Sequence, residues 1–118
     1  MNKAQSARAT KREIAALDEA IRQDPLGADD LSLKWFLRGL CEGDLGRFDT
    51  AIHDFDMAII YDSQAAEAYY WRAVARHQIG DYKRAIKDYT KVIALDPEHR
   101  NARGDRALAS LAKIQDRR

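Results

Sequence analysis

The chain repeats itself at a fixed step of thirty-four residues, and this limits its fold more than any other feature. Shifted by that step, Trp35 falls on Tyr69, Arg38 on Arg72 and Gly39 on Ala73. Leu45-Gly46 falls on Ile79-Gly80, Phe48 on Tyr82, and Ala51-Ile52 on Ala85-Ile86. Asp54-Phe55 then meets Asp88-Tyr89, Ala58-Ile59 meets Val92-Ile93, and Asp62 meets Asp96, without a gap. Self-similarity at periods of roughly 20–50 residues belongs to arrays whose units cannot bury an apolar face alone and stack on their neighbours.

Within one period, Ala66 to Pro97 reads as two amphipathic helices around a tight turn at Gly80-Asp81. The first carries Tyr69 and Ala73 and runs to Ile79. The second sets Tyr82, Ala85, Ile86, Tyr89, Val92 and Ile93 on one stripe, and Asp96-Pro97 ends it. The same reading along the chain predicts six helices, at about 10–24, 30–45, 48–61, 65–79, 82–95 and 98–115, with residues 1–9 frayed. The first helix, with Ile14, Leu17, Ala20 and Ile21 on one face, is the back half of a truncated repeat. After Pro25 the stretch LGADDL predicts a longer loop, with Asp29 or Asp30 capping the next helix. The last helix places Ala102, Arg106, Ala107 and Leu111 in the repeat register and is expected to cover the final apolar face.

The period, the small residues, the glycine turn and the terminal Asp-Pro together resemble the tetratricopeptide repeat family. The resemblance covers two full repeats (32–65 and 66–99) and partial repeats at both ends (10–25 and 100–115). It implies one all-α domain over residues 1–118, a right-handed α-solenoid of antiparallel helix hairpins. It also implies a non-catalytic scaffold that takes a peptide or helix of a partner protein in a groove lined by the first helix of each repeat. Carried over residue by residue, that face holds Leu33, Phe36, Leu40 and Gly43, then Glu67, Tyr70, Trp71, Val74, His77 and Gln78. The terminal helix adds Asn101, Gly104, Asp105 and Leu108.

Phe36, Tyr70 and Trp71 are the expected exposed anchors, because Trp35 and Tyr69 are assigned to the core beside them; Leu108 is the residue best suited to plain packing. The rim is expected to be partly acidic, which suits a ligand with apolar anchors and basic residues. One subfamily clamps chaperone C-terminal carboxylates with Lys, Asn and Arg on this face. The matching positions are Phe36, Leu40, Trp71, Asn101 and Asp105, so none of the clamp cations is kept, which argues against a co-chaperone of that type.

Arg38, Arg72 and Arg106 recur at the same period, and Asp54 and Asp88 recur one helix later. A buried guanidinium needs a partner, so an Arg–Asp ladder between helices is expected, with a structural role. Counting leaves its register open: pairing within a repeat leaves Arg106 over, and pairing between repeats leaves Arg38 over.

The single cysteine, Cys41, excludes an intramolecular disulfide and reads as a packing residue. His53, His77 and His99 have no metal-ligand spacing, and Gly43 and Gly46 punctuate a helix end rather than cradle phosphate. No catalytic, cofactor or metal site is therefore expected. No run approaches the roughly 20 apolar residues that span a bilayer, and no apolar segment follows the basic N-terminus, so the cytoplasm is the expected location. The net charge of +1 hides segregation, with +4 over residues 1–12, −7 over 13–98 and +4 over 99–118. Basic ends read first as solvated helix ends and only secondarily as nucleic-acid contacts. Self-assembly into a homo-oligomer is the alternative function from a different class.

Overall fold

A computed structural model describes residues 2–23, 28–96 and 102–116. Among the described residues six helices form, α1 (Lys3–Gln23), α2 (Ala28–Asp44), α3 (Phe48–Tyr61), α4 (Ala66–Gln78), α5 (Tyr82–Leu95) and α6 (Ala102–Asp116). There is no strand among the described residues. Packing divides the chain into two compact units, Met1–Ser63 and Gln64–Arg118, so the break falls beside the boundary between the two repeats.

Two helix boundaries differ from expectation. Helix α1 begins at Lys3, well before Thr10. The cause is a reciprocal cap: the Gln5 N–H donates to Asn2 Oδ1 at 2.8 Å, and the Asn2 N–H donates to Gln5 Oε1 at 3.1 Å. This is the capping-box arrangement in an Asn-x-x-Gln version, and the Ala-, Arg- and Lys-rich stretch after it has high helix propensity. Helix α2 begins at Ala28, which puts Asp29 and Asp30 inside its first turn rather than at a cap. Acidic residues are also favoured in a first turn, where they face the positive end of the helix dipole. Pro25, Pro97 and His99 lie outside the described residues.

In the first unit, α2 packs on α1 and α3. The α3-facing stripe of α2 is Ser32, Phe36 and Gly39, at spacings of four and three. The Ser32 hydroxyl donates to the Ala58 carbonyl at 2.9 Å. The Phe36 and Phe55 rings lie 5.8 Å apart. A Cβ on Gly39 would stand 2.6 Å from Phe55 Cε1, so only glycine permits this approach. Leu31, Ala51 and Ala58 are also buried.

The second unit builds the same hairpin from α4 and α5, and α6 closes it. Its core is Tyr70, Ala73, Ala85, Tyr89, Val92, Ala107 and Ile114. Tyr69, Trp71, Val74, Ile86, Ile93 and Leu111 pack around that core. Tyr89 lies at the centre: burial pushes its phenol up to about 12, while its hydroxyl engages Ser110 of α6. Ala73 takes the place of Gly39, and the Tyr70 and Tyr89 rings meet at 5.9 Å.

Both hairpin turns use the same helix termination. Arg47 N–H reaches the Glu42 carbonyl at 2.9 Å and Gly46 N–H reaches that of Gly43 at 2.9 Å. In the second repeat Asp81 N–H reaches Arg76 at 2.8 Å and Gly80 N–H reaches His77 at 3.1 Å. These crossed bonds are the Schellman motif, which requires left-handed backbone, and Gly46 and Gly80 have φ of 76° and 83°.

Candidate functional site

The residues assigned from sequence to a binding face divide between the core and the surface. Phe36 and Tyr70, expected as exposed anchors, are only 8% exposed and belong to the hairpin cores. Trp35 and Tyr69, expected in the core, are half-buried, and Tyr69 packs against the core of the second unit. Adjacent helical residues are turned by about 100°, so only one of each pair can point at the partner helix.

The outward stripe lies one step away. On α2 it is Leu33, Leu37 and Leu40, ending at Asp44, at helical spacing. Leu33 is 55% exposed, while Leu37 and Leu40 are half-buried. Gly43, beside this stripe, is half-buried as well. On α4 the same repeat positions are Glu67, Trp71, Val74 and Gln78, half-buried except for the exposed Gln78. The Trp71 ring stands edge-on to Tyr70 at 5.2 Å. His77 is half-buried, and its ring meets that of Tyr82 at 5.5 Å. On α6, Leu108 is 43% exposed. Asn101 and the side chains of Gly104 and Asp105 lie outside the described residues. Sequence reasoning missed Leu37, although it stands thirty-four residues before Trp71 and four after Leu33.

The arginine–aspartate pairs run within each repeat. Arg72 Nε donates to Asp88 Oδ2 at 3.0 Å and Nη2 donates to Oδ1 at 2.7 Å, while Arg76 Nη1 donates to Oδ2 at 2.7 Å. Arg38 Nη1 donates to Asp54 Oδ1 at 3.1 Å. Arg38 Nε also lies 2.8 Å from Asp18 Oδ1 of α1, but without hydrogen-bond alignment, so that contact is an ion pair only. Each guanidinium is backed by a ring at the same repeat position, Trp35 at 5.6 Å from Arg38 and Tyr69 at 5.4 Å from Arg72. Trp35 and Tyr69 thus back the ladder, and Tyr69 also packs against the core of the second unit. The Arg106 side chain, which within-repeat pairing leaves over, is exposed.

Cys41 is buried, and burial, with Glu13 beside it, pushes its thiol up to about 11, so it stays protonated near neutrality. Among the described residues no three His, Cys, Asp or Glu side chains gather as a metal site, and no helix is long and apolar enough to cross a membrane.

Paired antiparallel helices with identical glycine turns, recurring ion pairs and an outward stripe on each first helix define a helical-hairpin repeat protein. The chain belongs to the tetratricopeptide repeat family, which it matches over residues 36–100 and 78–113. No curated protein matches the chain in sequence. Among solved structures, the first such domain of Spaghetti (RPAP3), bound to an HSP90 peptide, is similar with a TM-score of 0.79 at 24% identity, over 98% of this chain and 84% of that one. The second domain of human RPAP3, in complex with an HSP70 peptide, has a TM-score of 0.76 at 25% identity, over 90% and 81% of the two chains. The Arabidopsis OM64 domain also has a TM-score of 0.76 at 25% identity, over 93% and 86%.

Proposed function

We propose that this protein is a non-catalytic interaction module that binds a peptide or helix of a partner protein on the outward stripe of a hairpin's first helix, that of α2 in the first unit and that of α4 in the second. The observation that carries the reading is membership of a family in which similar domains hold chaperone peptides. The stripes themselves refine it. Leu33, Leu37 and Leu40 on α2, and Trp71 and Val74 on α4, offer apolar seats, with Asp44 and Glu67 at their ends. None of the positions matching the Lys, Asn and Arg clamp for an acidic C-terminal peptide, Phe36, Leu40, Trp71, Asn101 and Asp105, carries a cation in this chain. The fitting ligand therefore has apolar anchors flanked by Lys or Arg, and gains from the acidic ends.

The test selects binders from a displayed peptide library and compares them with an acidic chaperone-type peptide ending in Glu-Val-Asp. Enriched peptides should combine apolar anchors with basic residues. Leu33→Ser and Trp71→Ala should each weaken them by roughly 30-fold, the scale of a central anchor. Circular dichroism monitors folding, which matters for Trp71 because it also packs on the core. Preferential capture of the acidic peptide, or tight binding unchanged in both folded variants, would overturn the reading.

A further inference from the structure

The two repeats treat the same buried aspartate differently. Asp88 is met by two guanidinium groups, from Arg72 in a two-pronged bond and from Arg76 at 2.7 Å. Asp54 stands thirty-four residues earlier, and the position matching Arg76 is Glu42. The first repeat therefore sets a carboxylate where the second sets a cation. Glu42 is itself only 3% exposed, and its ionic partner is the half-exposed Arg47 at 3.5 Å.

Asp54 is 0% exposed, and its Oδ2 has no hydrogen-bond partner among the described residues. Among the described residues, the charges acting on it come from α2 and α3. From α2 come Arg38 and Glu42, and Arg38 is divided between Asp54 and Asp18 of α1. From α3 itself comes His53, whose Nδ1 lies 3.6 Å from Asp54 Oδ1 and whose ring is largely solvated. One guanidinium thus serves two carboxylates while a third buried acid opposes it. A buried carboxylate lacking its full set of donors is costly to ionise, and a proton removes that cost.

We propose that Asp54, enclosed with Glu42 in the first hairpin, is a proton-binding site that fills under mildly acidic conditions and sets how firmly α3 is held on α2. The proton sits on the orphaned Oδ2, while Oδ1 keeps its bond from Arg38. Burial raises this carboxyl most and Glu42 adds to the rise, outweighing Arg38 and His53, so that it reaches about 6. In the second hairpin Arg76 occupies the position of Glu42 and donates a further bond to Asp88.

Carbon-detected NMR of the Asp54 carboxyl against pH tests this in the full chain. The expected midpoint is about 6. Glu42→Arg copies the second repeat and should lower the midpoint toward the ordinary aspartate value of about 3.9. Glu42→Gln, a milder change in case the first does not fold, should lower it part of the way. His53→Gln separates imidazole from carboxyl titration and should move the Asp54 midpoint up. A wild-type midpoint at or below the ordinary value would overturn the proposal. So would a midpoint that neither Glu42 variant moves.

Discussion

Arg72 and Asp88 face each other across the second hairpin, sixteen positions apart, joined by two hydrogen bonds of 3.0 and 2.7 Å between largely buried groups. The Asp88 carboxylate is nearly saturated because Arg76 supplies a third bond. Removing one partner of a buried pair costs more than the pair itself is worth, since the remaining charge stays desolvated. Arg72→Ala should therefore destabilise the protein by about 3 kcal/mol, tempered by Arg76, as read from the urea unfolding midpoint. A loss under about 1 kcal/mol would show that the ladder is solvated in solution.

Gly39 is expected to tolerate no larger residue. Its added Cβ would enter the Phe55 ring at 2.6 Å. Overpacking of this kind costs about 1–3 kcal/mol, against a helix-propensity gain of up to about 1 kcal/mol for alanine. Gly39→Ala should be net destabilising in thermal melts. Phe55→Leu, which vacates the ring volume, should make the same glycine replacement less harmful in a double-mutant cycle.

Ile114 is 1% exposed and anchors α6 over the core of the second unit. Truncation to alanine should cost about 2–4 kcal/mol through lost burial and the cavity left behind. The cost should appear together with faster hydrogen exchange of α6 amides, because this helix is held by tertiary packing.

The Asp54 carboxyl, raised to about 6, lies above its unfolded value of about 3.9. The folded state therefore binds the extra proton. The associated stability is fully present below about pH 4 and is lost as pH rises through about 6. Between about pH 5 and about pH 7.5 the loss is on the order of 1 kcal/mol. Denaturant titrations at those two pH values should show it in the wild type and show less of it in Glu42→Arg.

Cys41 should resist thiol reagents in the native state. With its thiol raised to about 11 by burial, the reactive thiolate is scarce. Alkylation near pH 8 should run at least about 100-fold slower than in the unfolded chain, where the ordinary value is about 8.5. Rapid native labelling would mean that α2 opens readily from α1.

Much of this was legible in the sequence. Gly46 and Gly80 marked their turns because a Schellman termination needs φ above zero, a requirement of the local backbone alone. The recurrence of Arg38 with Arg72 and of Asp54 with Asp88 announced paired charges for the same kind of reason. The Asn2–Gln5 cap was also written in the chain, in a less familiar residue pair than Ser and Glu.

Other features were decided only by tertiary structure. Periodicity places Trp35 and Phe36, or Tyr69 and Tyr70, on neighbouring flanks of one helix, and both flanks are apolar. Which flank is buried depends on where the next helix crosses, and the small residues Gly39 and Ala73 draw that crossing onto the Phe36 and Tyr70 side. Trp35 and Tyr69 were left to back the arginines. The register of the ladder was fixed in the same way, because counting residues permits either pairing and only proximity across the hairpin selects one. The opposition of Glu42 to Asp54 is likewise a property of the packed hairpin. Hydropathy and propensity are set residue by residue along the chain, whereas desolvation and the sharing of one guanidinium by two carboxylates exist only once helices have met.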